Sequence, residues 1–455
     1  MDESSQKATE ITDEIVEQVR QWIRDTNVDA LKPFLGQLHP ADVATLMSRM
    51  VRLNQNIIFD LLDPDISGDV LMELEEPHRE DVVESLDAET LSQIVDQLPS
   101  DEAADLVAEL DDDVARQVLE STPEESRREV EDLLRYDEDT AGGLMALEVA
   151  RIHENQTVYQ AQEELRAIHK EVEDIHTLFV VDDQNHLKGI INPIELILAT
   201  PDTPVSQIME TDIVTVPPEM DQEEAATVAM KYDLVSMPVV DGNGVLLGRI
   251  TIDDIIDVVE EEAHEDISFM AGTGDEEIAE RSALKVTRER IPWLLIGLLG
   301  GLVAAYVMSH FEGSLDRVIQ LAFFVPVVMG MAGNIAIQCS SIIVRGLATG
   351  DLVTATVLRQ LWKEFRVALT NGIVLGAVIL IAVAIWFSNW ELGMVIGGTM
   401  LSVVIVATAT GTLIPLILKR IGIDPAVAMG PFITTLNDII GISIYLGFAT
   451  LYYRL

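Results

Sequence analysis

Apolar residues return on a twelve-residue step through the first part of the chain. The step is read from LHPADVATLMSRM at Leu38, a weaker copy at Met50, LDPDISGDVLMEL at Leu62, LEEPHREDVVESL at Leu74, LDAETLSQIVDQL at Leu86, LPSDEAADLVAEL at Leu98 and LDDDVARQVLEST at Leu110. Each unit opens on an acidic, serine- or proline-containing stretch that suits a helix N-terminus. Two turns with apolar residues at helical spacing follow. A helix of about eight residues cannot bury enough surface alone, so neighbours must stack. The expectation is an α-helical, superhelical repeat domain over residues 1–135.

From Thr140 the period changes. HTLFVVDDQNHLKGIINPIEL (His176–Leu196) and VSMPVVDGNGVLLGRITIDDI (Val235–Ile255) each read as a strand, a turn, a second strand with a glycine, and a helix. Their upstream segments, TAGGLMALEVARIHENQTVYQAQEEL and VSQIMETDIVTVPPEMDQEEAATVAM, both give a methionine, a short strand and a helix. Two tandem copies of one α/β module are expected, over 136–200 and 201–262.

A connecting helical segment, 263–290, leads into continuous apolar runs. Ile291–His310, Val318–Val344, Val367–Ser388, Leu392–Leu418 and Pro425–Tyr453 each approach or exceed the roughly 20 apolar residues a bilayer span needs. Residues 291–455 therefore read as a five-span α-helical bundle. Basic residues mark cytoplasmic loops. Arg345, Arg359, Lys363 and Arg366 fall between the second and third runs, and Lys419 and Arg420 between the fourth and fifth. The expected topology is multi-pass in the cell membrane, with the N-terminus cytoplasmic and the C-terminus extracytoplasmic. The first residues, MDESSQKATEITDE, carry no basic and apolar leader pattern, which agrees.

Charge separates the two halves further. The chain has 29 Lys+Arg against 77 Asp+Glu. Only 8 basic and 7 acidic residues lie in 291–455, so the first 290 residues carry a formal charge of -49. Such a surface repels nucleic acid and attracts cations. The single cysteine, Cys339, excludes an intramolecular disulfide framework. No nucleophile with base and orienter, phosphate-cradling glycine loop or Cys/His metal spacing is present, which argues against an enzyme.

Asp438 is the only charged residue between Pro425 and Tyr453. A charged carboxylate at the bilayer centre costs at least about 2.5 to 3.5 kcal/mol, so something must compensate. Thr434 and Thr435 lie four and three residues before it and Gly441 three after, on one helical face, with Asn437 beside it. Pro431 is expected to free a carbonyl one turn back. The second run offers Gly330, Gly333, Asn334 and Gln338, which serve either helix packing or a pore lining. Two readings of Asp438 stand: a protonated acid hydrogen-bonded between helices, or a cation site. No basic partner lies within the spans, which favours a hard cation.

The paired modules resemble cystathionine-β-synthase-type (CBS) repeats. The MPVVD strand and the ending Gly248, Ile250, Thr251, Asp254 carry the resemblance, while the first module has Asn192 and Glu195 where Thr and Asp are usual. In that family such pairs often bind adenine nucleotides. This implies an ATP site involving Thr251, Asp254 and Glu195. The whole order of acidic helical repeats, CBS pair, connecting helix and five spans resembles the MgtE family of magnesium channels and transporters. RIPWLL at Arg290–Leu295, Pro326 followed by GNIAIQ, and the Asn-Asp pair of the last span match it too.

That resemblance implies a homodimer whose two last spans place Asp438 beside a pore on the twofold axis, with Asn437, Thr434, Thr435 and Asn334 around a hydrated Mg2+. It also implies magnesium uptake gated by Mg2+ bound to Asp221, Glu223, Asp233, Asp254, Asp257, Glu262, Glu265 and Asp266, and to Asp101 and Asp105. The residues themselves support a controller. Eight carboxylates crowd the fourteen residues from Asp253 to Asp266, and their repulsion without divalent cations would splay the cytosolic half. Bound magnesium would bias Glu276–Arg290 toward blocking the pore. The competing readings are an ion-coupled secondary transporter of divalents such as Co2+, and a nucleotide-sensing membrane receptor.

Overall fold

Helices begin every twelve residues in the first part of the chain. In a computed structural model describing residues 10–168, 175–273, 283–348 and 354–454, α1 (Asp13–Arg24) and α2 (Val28–Leu35) lead into eight short helices. These are α3 (Pro40–Ser48), α4 (Arg52–Phe59), α5 (Pro64–Met72), α6 (Glu76–Val83), α7 (Ala88–Val95), α8 (Ser100–Ala108), α9 (Asp112–Ser121) and α10 (Glu124–Leu133). Pro40 and Pro64 open their helices, where a missing N–H loses no hydrogen bond. The repeat positions Leu38, Met50, Leu62, Leu74 and Leu98 are buried just before the helices they precede. The most extensive packing skips one neighbour, with α3 on α5, α4 on α6, α7 on α9 and α8 on α10, while α3 also meets α4 and α7 meets α8. The stacked array supplies the core that no single eight-residue helix could make.

The first α/β module contains β1 (Arg151–His153), α11 (Val158–Ile168), β2 (Leu178–Val181), β3 (Leu187–Ile191) and α12 (Pro193–Leu198). Strand β1 runs parallel to β2, and β2 antiparallel to β3. The second contains α13 (Gln222–Tyr232), β4 (Ser236–Val240), β5 (Leu246–Thr251) and the long α14 (Ile252–Ala271). A parallel bridge between Val216 and Val239 beside the antiparallel β4–β5 pair repeats the first module's order. The modules are linked by reciprocal backbone hydrogen bonds between Ala146 and Arg249 and by Asn185 Nδ2 donating to Leu246 O.

The chain forms two compact units, Met1–Val259 and Glu260–Leu455, and α14 runs continuously from one into the other. The second unit holds α15 (Ala283–Ser309), the short α16 (Glu312–Arg317), α17 (Gln320–Ala348), α18 (Thr354–Phe387), α19 (Trp390–Arg420) and α20 (Pro431–Tyr453). Among the described residues, α15, α17, α18, α19 and α20 are long and apolar enough to cross a membrane.

Three expectations change. Helix α18 starts more than three turns earlier than the apolar run, so Arg359, Lys363 and Arg366 are helical, not loop, residues, as are Arg345 in the last turn of α17 and Lys419 and Arg420 in the last turn of α19. Pro431 is the first residue of α20, after a separate 3-10 turn at Pro425–Ala428, so it opens the helix and does not free a carbonyl within it. Part of the expected blocking segment Glu276–Arg290 lies outside the described residues, and from Ala283 it already belongs to α15.

Candidate functional site

Asp438 sits on the face of α20 that meets α17. The γ-methyl of Thr434 lies 3.4 Å from where a Cβ on Gly333 would stand, and Ala332 Cβ lies 3.4 Å from the corresponding point on Gly441. Asp438, between those two contacts along the same face, is half-buried, and no hydrogen bond or ion pair among the described residues engages it. Its neighbours are committed elsewhere. Asn437 is buried, its Oδ1 accepting from Thr410 Oγ1 at 2.7 Å and its Nδ2 donating to Ile433 O at 2.8 Å. The Thr434 hydroxyl donates back to Gly430 O and Pro431 O, both at 3.0 Å. Thr435 points to the first span, where its Cγ2 would lie only 1.6 Å from a Cβ on Gly300.

On α17 the two amide side chains do not pack inside the chain, although Ser340 on the same helix is buried. Gly330, Asn334 and Gln338, each four residues apart, are all exposed along one stripe. An amide facing hydrocarbon without a partner costs about 1 to 3 kcal/mol on mutational scales. The stripe therefore requires either water or another protein surface.

The start of α20 is closed by the end of α14. Gly430 has φ +63°, and a Cβ there would lie 2.8 Å from Met270 O and 3.0 Å from Phe269 O, so only glycine permits this approach. Phe269 packs with Val344, Ala426 and Met429, and its ring meets Trp293 edge-on at 6.3 Å. One turn earlier on α14, burial and then the charge of Asp424 push Asp266 above the usual carboxylate range. Glu262 and Glu265 are half-buried on the same helix. Asp424 also accepts the Ala426 N–H at 2.8 Å. Sequence reasoning missed Asp424, although it is the one acid in the loop after Lys419 and Arg420.

A second carboxylate group forms where α8 approaches the start of α14. Asp101 is buried, and desolvation followed by the charge of Asp254 raises it well above normal. Desolvation is likewise the leading cause that raises Asp254, whose Oδ2 accepts from Thr251 N–H at 2.9 Å and Thr251 Oγ1 at 2.5 Å. Glu102, also missed from the sequence, is pushed up to about 7, and Asp105 up to about 6, each first by desolvation and then by neighbouring carboxylates. Asp105 lines a cavity of about 210 Å³ with Asp137, Glu138, Tyr136 and Gly143. Like charges held together in partly dry surroundings are a state that a cation relieves.

The remaining predicted acids are exposed, and Asp257 adds its charge to that around Asp254. Asp221 caps α13, accepting the Glu223 N–H at 3.1 Å, and Asp233 closes the same helix at φ 53°. Asp257 is exposed on α14 and Glu195 on α12. Among the described residues, no group of three or more His, Cys, Asp or Glu side chains converges as a metal cage. What the chain offers is carboxylates in pairs, suited to a cation that keeps most of its waters.

Comparison with known proteins bears directly on these features. Residues 325–448 match the MgtE family model, a divalent cation transporter, residues 38–139 the MgtE intracellular N domain, and residues 141–202 and 205–261 the CBS domain. A magnesium transporter MgtE of Bacillus subtilis (strain 168) is 34% identical over 438 residues, 96% of this chain and 97% of the relative. The chain belongs to the MgtE family. Another relative, the magnesium transporter MgtE of Enterococcus faecalis (strain ATCC 700802 / V583), is 38% identical over 330 residues, 72% of this chain and 73% of that one. The crystal structure of the cytosolic domain of the Mg2+ channel MgtE in complex with ATP superposes with a TM-score of 0.51 at 31% identity, covering 53% of this chain and 99% of that domain. The soluble part of a magnesium transporter gives 0.50 at 28% identity, covering 55% and 98%. With five apolar helices, this MgtE-family chain is a multi-pass membrane protein, a transporter and not an enzyme.

Proposed function

We propose that the chain takes up Mg2+ across the plasma membrane as a homodimeric channel, with its N-terminus cytoplasmic, its C-terminus outside, and Asp438 beside the ion path. The uncovered stripe of Gly330, Asn334 and Gln338 on α17, together with Asp438, which no described residue pairs, carries this reading. A second copy related by a twofold axis would cover the stripe, supply water-filled space between the copies, and bring two Asp438 carboxylates together. Two carboxylates suit Mg2+, which is bound through one or two such groups while keeping several waters. Asn437 then acts by positioning α20 against α19, since its amide is already engaged by Thr410 and Ile433.

Gating follows from α14, which carries Asp254 and Asp257 at one end and Phe269 and Met270 at the other. Cytosolic Mg2+ bound by the carboxylates of α8 and α14, and by Asp266 with Asp424, favours the state in which the end of α14 closes on Gly430. Loss of Mg2+ restores repulsion and releases it. The ATP-bound relative supports a nucleotide at the CBS pair, with Thr251, Asp254 and Glu195 as the residues to examine. The test is the combined variant Asp254→Asn, Asp257→Asn, Glu262→Gln in proteoliposomes. Transport should persist at high internal Mg2+, and inhibition equal to that of the wild type would remove the account. Obligatory coupling of Mg2+ movement to a counter-ion would instead favour a secondary transporter.

A further inference from the structure

Glu364 is a second carboxylate inside the helical bundle, and the transport reading does not use it. It is 5% exposed on α18 although Arg359, Lys363 and Arg366 around it all face outward. No ion pair among the described residues includes it. Its Oε1 accepts from Gln360 Nε2 at 2.9 Å, and among the described residues its Oε2 is met only by the thiol of Cys339 on α17, at 3.9 Å. Cys339 is 7% exposed, and Thr408 on α19 is likewise buried, at 5% exposed. A thiol and a carboxylate from two helices thus face each other.

We propose that Cys339 and Glu364 form a binding site for a thiophilic divalent cation of the zinc, cadmium or cobalt class. Metal–sulfur and metal–oxygen bonds of about 2.3 and 2.1 Å at a tetrahedral angle span about 3.6 Å between the donors, close to the 3.9 Å already present. Binding breaks the Cys339 S–H bond, forms metal–Sγ and metal–Oε2 bonds, and releases one proton to solvent. A thiolate and a carboxylate together cancel a divalent charge, so the filled site buries no net charge. The Gln360 amide oxygen joins the coordination after a side-chain rotation. Soft sulfur ligands select such metals over magnesium, which prefers oxygen and holds its waters. Cys339 lies two turns along α17 from Ala332, which packs on Gly441, so the metal would pin α17 to α18 beside the helix pair that carries Asp438.

Cys339 is the chain's only cysteine, so any thiolate-to-metal signal reports this position alone. Full-length protein in detergent is titrated with cadmium chloride in excess Mg2+, following the ultraviolet thiolate-to-cadmium band and the bound metal per chain. One cadmium per chain with the band is expected. Cys339→Ser should abolish the band, and Glu364→Gln, which keeps the side chain's shape, should weaken binding at least tenfold. Both variants should elute as folded protein with unchanged oligomeric state. Absence of the band in the wild type, or wild-type affinity in Glu364→Gln, overturns the site.

Discussion

Replacing Gly300 with alanine tests how closely the first span must approach the helix that carries Asp438. A Cβ at residue 300 would stand 1.6 Å from Thr435 Cγ2 and 3.1 Å from Thr435 Cβ. Unstrained carbons sit about 3.5 to 4.0 Å apart, so about 2 Å must be recovered by moving a helix or rotating Thr435. Overpacking of this kind costs about 1 to 3 kcal/mol. Alanine's better helix propensity offsets about 0.8 to 1 kcal/mol of that, leaving a net loss of roughly 0 to 2 kcal/mol for Gly300→Ala. Thr435→Ala removes the γ-methyl and leaves only the 3.1 Å contact, which closes with a shift of a few tenths of an ångström. In a double-mutant cycle the propensity gain cancels, so the coupling energy isolates the clash at about 1 to 3 kcal/mol. The assay is denaturant unfolding of the four full-length proteins in detergent, with Mg2+ uptake measured alongside in proteoliposomes. Gly300→Ala should lose stability and uptake, Thr435→Ala should keep transport, and the double variant should recover both. A coupling energy near zero, or a double variant as impaired as Gly300→Ala, would refute the reasoning.

Two further outcomes follow from the sensor and the gate. Burial holds Glu102 up to about 7 and Asp105 up to about 6. Their stabilising contribution is therefore fully present below about pH 4, where the unfolded chain is also protonated, and is lost as pH rises through 6 to 7. Magnesium should offset that loss, so its effect on the Tm of the full-length protein should be larger at pH 8 than at pH 5; an equal effect at both would contradict the sensor. Phe269→Ala removes a half-buried ring from the Val344, Ala426, Met429 cluster. Losing about 1.4 kcal/mol of closed-state packing would lower the closure equilibrium constant about tenfold, so the Mg2+ concentration for half-closure should rise, and an unchanged midpoint would exclude Phe269 from the gate.

The twelve-residue step was legible because every repeat had to solve the same burial problem. Leucines at fixed spacing mark the array, and helices start at Pro40, Arg52, Pro64 and onward at that interval. The five spans were legible from apolar length, but their ends were not. Arg359, Lys363 and Arg366 read as a loop because charge usually marks the membrane boundary, whereas an early start to α18 leaves them exposed on helix and turns Glu364 inward. Asn437 and Asp438 are adjacent in sequence, and only the helical geometry separates a residue bonded to Thr410 from one that no described residue pairs. Asp424 and Glu102 escaped notice because their significance comes from neighbours distant in the chain, Asp266 in one case and Asp69 and Asp254 in the other.

Recording from the reconstituted full-length protein in membrane patches, with Mg2+ varied on the cytosolic face and Asp438→Asn as the comparison, tests the central claim most directly. The account predicts unitary Mg2+ currents that fall as cytosolic Mg2+ rises, and no Mg2+ current from an Asp438→Asn protein that still assembles. Uptake without channel currents, or Asp438→Asn currents equal to those of the wild type, would contradict it.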